Sequence, residues 1–416
     1  MQLKRVVVTG LGAISPLGNS VSDYWTGLVA GKSGAGPITR FDATKFRTRF
    51  ACEVKGFDVG NYLDRKEARK MDPFVHYAIG STDEAVRDSG ITPETVDFNR
   101  VGVIWGSGIG GLLTFQEEVL NFGNGVGTPR FNPFFIPKMI VDSSAGLISM
   151  RNGFRGPNYC TVSACSSSNN SIIDAFTYLR TGRMSVCITG GSEAAVTIAG
   201  VGGFNALKAM SERNDAPEKA SRPYDRDRDG FVLGEGSAAM VLEEYEHAVR
   251  RGAKIYCEIV GGGMSSDAYH ITAPHPEGLG FRLMLQDALR DANLDPSAID
   301  YINTHGTSTP LGDPLELNAI HEIFGEHAFN MNISSTKSMH GHLLGAAGAM
   351  EAAACILAIQ NQEVPPTINL DNLDESIDPR FNLTPNVSQK RDIRYAMSNG
   401  FGFGGHNAAV IFKRMD

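Results

Sequence analysis

Four side chains stand where strand or loop sequence gives way to helical pattern and could carry acyl or proton-transfer chemistry: Cys165, His305, Lys337 and His342. Cys165 follows the β-prone run Tyr159 to Val162, which breaks at Ser163-Ala164. It opens a pattern in which Ile172, Ile173, Phe176 and Leu179 recur at helical spacing until Gly182. Ser166, Ser167 and Ser168 suit a helix N-terminus better than its interior. A thiol placed there would meet unpaired N–H groups and the positive end of the helix dipole, which stabilise a thiolate, and a neighbouring N–H can face a developing oxyanion. Cys165 therefore reads as a nucleophile, with a small buried core cysteine as the alternative.

His305 lies in NTHGTSTPLGD, just past the strand-like run Asp300 to Thr304, where open α/β sheets place ligands. His342 lies in STKSMHGHLLG, at a helix N-terminus that discourages its protonated form. Neutral imidazoles can donate hydrogen bonds to a forming oxyanion or enolate. A turn histidine that merely bonds a nearby carbonyl is the alternative for each. Lys337, in the same loop as His342, could supply fixed positive charge or be a solvated surface lysine. The glycine-dense SNGFGFGGHN, Ser398 to Asn407, is expected to be a mobile gate, because its two phenylalanines should not pack as a regular strand; a tight turn is the competing reading.

These residues need a scaffold of alternating strands and helices. Arg5 to Val8 predicts a first strand that runs into TGLGAISPLG, and Val101 to Trp105 a second that runs into Gly106-Ser-Gly108-Ile-Gly110-Gly111. Either turn could suggest a dinucleotide site. Ser15 and Pro16 spoil the first, and the second lacks an acid for a ribose downstream, so both read as close strand-to-helix turns. Ser185 to Gly190 is a buried strand, and Ser211 to Asp229 is polar enough to be a surface excursion. From Ala253 the order of strand and helix starts over, and His342 to Ile359 forms a small-residue helix entered much as the Cys165 helix is. Two similar α/β halves are expected, over residues 1–252 and 253–416.

The 416-residue chain has ordinary globular composition and a formal net charge of −8, which gives no general attraction to nucleic acid or to an anionic membrane. An acidic partner would need a local basic patch. YLDRKEARK, Tyr62 to Lys70, offers one on a probable-helix pattern, with a solvated face as the alternative; Phe131 to Met139 (FNPFFIPKM) suits a subunit contact or pocket wall. The six cysteines show no metal-ligand spacing and are expected to be reduced, no signal peptide is legible, and the cytoplasm is the expected location.

VSACSSS, NTHGTSTPLGD, STKSMHGHLLGAAGAMEA and NGFGFGGHNA, in this order and spacing, resemble the β-ketoacyl-acyl carrier protein synthases, the condensing enzymes of fatty acid synthesis, and most of all their synthase II branch. The resemblance runs essentially end to end. It implies a thiolase-like α/β fold, two related halves stacked in five alternating layers (αβαβα), working as a homodimer. It implies that Cys165 takes an acyl chain from acyl carrier protein and that His305 and His342 stabilise the enolate left when malonyl-acyl carrier protein loses carbon dioxide. No cofactor and no metal are implied, since the phosphopantetheine arrives on the carrier. The same resemblance implies support from Lys337, a gate and oxyanion N–H at Phe403, and an acidic residue beneath the site, Glu351. It implies contacts to the pantetheine arm from Thr307 and Thr309, an acyl-pocket position at Ile109, and carrier docking by Lys66, Arg69, Lys70, Arg130 and Lys208. His340 departs from the family's usual threonine. Rival readings are a synthase I or polyketide ketosynthase with the same chemistry, a non-catalytic carrier-binding subunit, and a dinucleotide-dependent oxidoreductase.

Overall fold

The computed structural model describes residues 3–125 and 129–416. Ten strands form its main sheet: β1 (Val6–Ile14), β2 (Val101–Gly106), β3 (Asn158–Thr161), β4 (Val186–Glu193), β5 (Gly236–Glu244), β6 (Cys257–Ser266), β7 (Tyr301–Asn303), β8 (Asn332–Ser334), β9 (Tyr395–Gly402) and β10 (His406–Lys413). Their order is β8-β7-β9-β10-β6-β1-β5-β4-β2-β3. Read outward from the middle, the order is the same twice. β1 is antiparallel to β5 and β5 to β4, while β4, β2 and β3 run parallel; β6, β10, β9, β7 and β8 repeat those senses one for one. The two halves are continuous at one short seam, where Val6, Val7 and Val8 pair with Ile259, Glu258 and Cys257.

Helices α1 (Pro73–Ser89) and α3 (Ser143–Asn152), with α2 (Leu112–Gly123) between them in sequence, belong to the first half, as does α4 (Ser167–Arg180). Helices α5 (Leu279–Ala292), α6 (Gly312–Phe324) and α7 (Ala347–Asn361) belong to the second. α1 and α3 cover one half-sheet, α5 and α6 the other, and α4 and α7 pack against strands of both, which gives five layers. Helix α7 is apolar on nearly every face because little around it is solvent, and it is buried from Ala347 through Ile359; α4 buries Ser167, Ser168, Asn169 and Ser171 beside its apolar residues. Among the described residues Leu344–Asn361 is the one helical stretch long and apolar enough to cross a membrane, and it lies in this core.

Three expectations change. β1 does not end at Val8 but continues through Gly10 and Gly12 to Ile14. Its glycines are not a turn: a Cβ on Gly12 would overlap the carbonyl oxygen of Ser81, and one on Gly10 that of Ala85, so they let α1 lie directly on the strand. Ser211 to Asp229 is not a surface excursion throughout, since Arg222, Asp225 and Arg228 are buried. Arg228 pairs with Asp313 at 3.5 Å and Asp374 at 2.5 Å, and Arg222 with Asp225 at 3.0 Å, so mutual charge compensation pulls a polar segment inward. Finally, β9 runs as regular strand through Gly402, with the ring of Phe401 stacked on Phe281 at 3.7 Å. Only residues 403–405 form the turn, with positive φ at Gly404 and Gly405, so one of the two phenylalanines, Phe401, packs as a strand residue and Phe403 stands in the turn.

Candidate active site

Cys165 sits in a single 3-10 turn, Ala164–Ser166, between β3 and α4. Ala164 takes φ +51°, which turns the chain sharply enough to project the sulfur over the helix start. His342 Nε2 lies 3.0 Å from Cys165 Sγ. The backbone N–H of Phe403 is directed at the same sulfur. His305 completes the cluster, its ring nearly perpendicular to that of His342 at 5.2 Å between centroids. All three side chains line a cavity of about 440 Å³ that also receives Ile109, Thr307, Thr309, Leu344 and Phe403.

The protonation states follow from burial. Burial pushes the Cys165 thiol up to about 12, against a smaller opposing pull from Lys337. The expected resting thiolate is therefore replaced by a thiol, because desolvation outweighs the helix end. His305 and His342 are held well below the ordinary imidazole range, by burial first and by the charge of Lys337 second, so both are neutral at physiological pH. Their neutrality was expected; its cause is burial beside a cation.

Lys337 opens the one-turn helix Lys337–His340, is almost fully buried, and pairs with the carboxylate of Glu351 on α7. Glu351 is thus behind Lys337 and not among the residues that line the cavity. Burial raises its carboxyl to about 7. His340 is also buried, its Nδ1 2.8 Å from the Gly341 carbonyl and its Nε2 3.0 Å from Thr336 Oγ1, and it is not among the residues that line the cavity.

Two carboxylates that the sequence reading passed over hold the loops. Glu316 on α6 accepts from the backbone N–H groups of His305 and Gly306, each at 2.9 Å. Asp313 accepts from Ser308 and Thr309 N–H at 3.1 and 3.3 Å and so shapes the turn that presents Thr307 and Thr309. The available signal was an acid on the inward face of a helix whose other inward residues are apolar. Of the basic positions, Lys66, Arg69, Lys70, Arg130 and Lys208 are all exposed. Of the first three only Lys66 lies on a helix, the single turn Arg65–Ala68 capped by Asp64; Arg69 is its C-cap, and Lys70 lies beyond it with its ammonium 5.4 Å over the Phe134 ring. Lys208 is sequence neighbour to Leu207 on the main cavity and, with Lys45 and Arg47, lines a second cavity of about 300 Å³.

The dinucleotide reading fails on this geometry. The N–H groups of Gly108, Ile109 and Gly110, which a pyrophosphate would need, are all consumed by the Glu193 carboxylate at 2.7, 3.1 and 3.2 Å.

Fold and site together define a thiolase-like acyltransferase. Residues 3–248 match the family described as "Beta-ketoacyl synthase, N-terminal domain", and residues 256–371 match "Beta-ketoacyl synthase, C-terminal domain". The chain is 49% identical over 414 residues to the 3-oxoacyl-[acyl-carrier-protein] synthase 2 of Synechocystis sp., covering 100% of this chain and 99% of the relative. It is 49% identical over 415 residues to the protein of the same name from Coxiella burnetii, covering both chains completely. Among solved structures it resembles a β-ketoacyl synthase from Burkholderia phymatum, with a TM-score of 0.92 and 36% identity over 99% of this chain and 100% of that one. It also resembles a type II polyketide ketosynthase solved in complex with its acyl-carrier protein, with a TM-score of 0.91 and 30% identity over the whole of both chains. The chain belongs to the β-ketoacyl synthase family, and its activity is the condensation step of fatty acid elongation.

Proposed function

We propose that Cys165 carries the growing acyl chain and that His305 and His342 act on the enolate that extends it. The observation that carries this reading is the 3.0 Å approach of His342 Nε2 to Cys165 Sγ at the floor of the cavity. In the first half-reaction the sulfur attacks the thioester carbonyl of an acyl-acyl carrier protein. The carrier thiol leaves with the proton that Cys165 gives up, and the acyl group remains on Cys165. Direct ionisation of a thiol held up at about 12 would cost roughly 7 kcal/mol at neutral pH, so the proton must move as the bond forms, and His342 is the group placed to relay it. The N–H groups of Cys165 and Phe403 receive the oxyanion.

In the second half-reaction malonyl-acyl carrier protein loses carbon dioxide. The enolate oxygen takes hydrogen bonds from His305 and His342, its carbon attacks the acyl-Cys165 thioester, and the Cys165 sulfur leaves and takes one proton from solvent, the proton that decarboxylative condensation consumes. The product is a β-ketoacyl-acyl carrier protein two carbons longer. Neutral imidazoles suit this role because they donate without first needing a proton from solvent. Thr307 and Thr309, whose hydroxyls are 3.1 Å apart on the cavity wall, hold the pantetheine arm, Phe403 gates the site, and Ile109 bounds the acyl chain.

The carrier, acidic and bearing the phosphopantetheine so that the enzyme needs no cofactor of its own, docks on Lys66, Arg69, Lys70, Arg130 and Lys208. Two copies of the chain pair through the free edge of β3 and the apolar surface around it. Val162 is 58% exposed beside that edge, and Phe115, Phe131, Phe134 and Ile136 of the same half are exposed as well, an apolar set that water alone would not retain. The halves divide at residues 252 and 253, and the enzyme works in the cytoplasm on carrier-bound chains, without nucleic acid or membrane as partner.

Intact mass spectrometry after incubation with acyl-acyl carrier protein tests the reading. An acyl adduct is expected on the wild-type chain, lost in Cys165→Ala and discharged by malonyl-acyl carrier protein. An adduct of equal yield in Cys165→Ala overturns it.

A further inference from the structure

Glu193 ends β4, is fully buried, and has no ion-pair partner among the described residues. Its carboxylate instead accepts five hydrogen bonds. Four come from the turn after β2: Ser107 Oγ at 3.1 Å and the N–H groups of Gly108, Ile109 and Gly110 at 2.7, 3.1 and 3.2 Å. The fifth comes from the other half of the molecule, the N–H of Gly345 at 3.0 Å. Four of the five partners are N–H groups that can only donate, an arrangement that suits a carboxylate, while burial pulls the carboxyl upward against them. That charge works against the reaction as far as the sulfur is concerned, because it disfavours a Cys165 thiolate. A buried anion kept beside a nucleophile it opposes, without a cation, has its use in geometry.

The two segments it joins carry Ile109 and Leu344, and both of these side chains face the cavity that holds Cys165. We propose that Glu193 is a positioning residue for acyl-chain selectivity, clamping the Ser107–Gly110 turn of the first half to Gly345 of the second so that Ile109 and Leu344 bound the acyl end of the cavity at a fixed separation. Without the clamp the turn would be held mainly by Gly111, whose N–H bonds the Met139 carbonyl at 3.0 Å, and Ile109 would be free to give way to longer chains. The inference rests on the reading of Cys165 as the acyl acceptor.

The test is Glu193→Gln, which keeps the shape but turns one acceptor oxygen into a donor facing donors. The enzyme is assayed with acyl-acyl carrier proteins of increasing chain length, with Cys165 loading followed by intact mass in the same samples. The wild-type ratio of kcat/KM between the preferred chain and one four carbons longer is expected to fall at least fivefold in the variant. The change should lie in KM, and Cys165 should still load. A profile superimposable on wild type overturns the proposal, as does a uniform fall in kcat at every length, which would mark a purely structural role. Where Glu193→Gln does not fold, as judged by circular dichroism and thermal unfolding, Ser107→Ala decides. It removes one donor of five; a smaller shift in the same direction supports the clamp, and an unchanged ratio overturns it. Failure of wild-type Cys165 to load would instead refute the acyl-acceptor reading itself.

Discussion

Lys337→Met separates two effects of one buried cation. Lys337 and Glu351 are both essentially inaccessible and bonded to each other, so the substitution leaves the Glu351 carboxylate buried without its partner. Breaking a buried pair from one side costs about 3–5 kcal/mol. Glu351 answers by taking up a proton, for its carboxyl already sits at about 7 with Lys337 in place. Thermal unfolding should therefore show a clear loss of stability, and Lys337→Met/Glu351→Leu, in which neither charge remains, should recover most of it. Catalysis should not recover with stability. The charge of Lys337 is the second cause, after burial, that keeps His305 and His342 neutral. With it gone both imidazoles take protons more readily, so the acid limb of the condensation rate should move to higher pH in the single and the double variant alike. A wild-type acid limb in the stable double variant would refute the claim that Lys337 sets the state of the histidines; wild-type stability in Lys337→Met would refute the claim that the pair is buried and coupled.

Gly402→Ala should fold with a modest stability loss, about 1–3 kcal/mol for overpacking, but should lower kcat by roughly a hundredfold, because its Cβ would overlap the Ser163 carbonyl and lie 3.2 Å from the Cys165 N–H; near-wild-type turnover would show that the oxyanion donors tolerate the shift. Lys66→Glu/Arg69→Glu should raise KM for acyl-acyl carrier protein about tenfold at low salt, less at high salt, and leave turnover of a carrier-free pantetheine thioester unchanged; equal losses on both substrates would place the defect in the site instead. His340→Thr tests a linkage. The folded state holds His340 at about 3 against an ordinary value of 6.5, so the wild type loses stability from this group as pH falls below 6.5, by about 1.4 kcal/mol per unit. Relative to wild type, the variant should therefore gain about 2 kcal/mol between pH 6.5 and pH 5, and parallel unfolding curves at the two pH values would sink the idea.

Much of the site was legible because it rests on short local patterns. The break at Ser163-Ala164 and the helical spacing after it place Cys165 between strand and helix, and the structure puts it there. The second small-residue helix, read from HLLGAAGAMEAAACILAI, is α7. What the sequence hid depends on burial and on partners distant in the chain. The thiol is protonated because desolvation outweighs the helix end, and no local pattern reports desolvation. The extension of β1 through Gly10 and Gly12 depends on α1 lying against it, and the inward fold of Arg228 on Asp313 and Asp374. Glu193 and Glu316 draw their meaning mainly from backbone donors elsewhere in the chain.

The repeat explains why the two halves do different work with one device. In the first half a residue of positive φ, Ala164, precedes Cys165 and a 3-10 turn that feeds α4; in the second, Leu344, with φ +50°, precedes Gly345 and a 3-10 turn that feeds α7. Gly345 thus occupies the place that corresponds to Cys165. A side chain there is excluded, because its Cβ would overlap the N–H of Gly108 and press on Glu193. The strands that end over these two positions correspond as well: β4 finishes at Glu193, which binds Gly345 N–H, and β9 at Gly402, whose bareness leaves Cys165 N–H and the N–H of Phe403 open toward the sulfur. One half closes its turn with a carboxylate and the other leaves the same place empty. The chain therefore has one such sulfur between two sets of loops, and the half that lacks it brings His342 within 3.0 Å of Cys165 and His305 onto the same cavity.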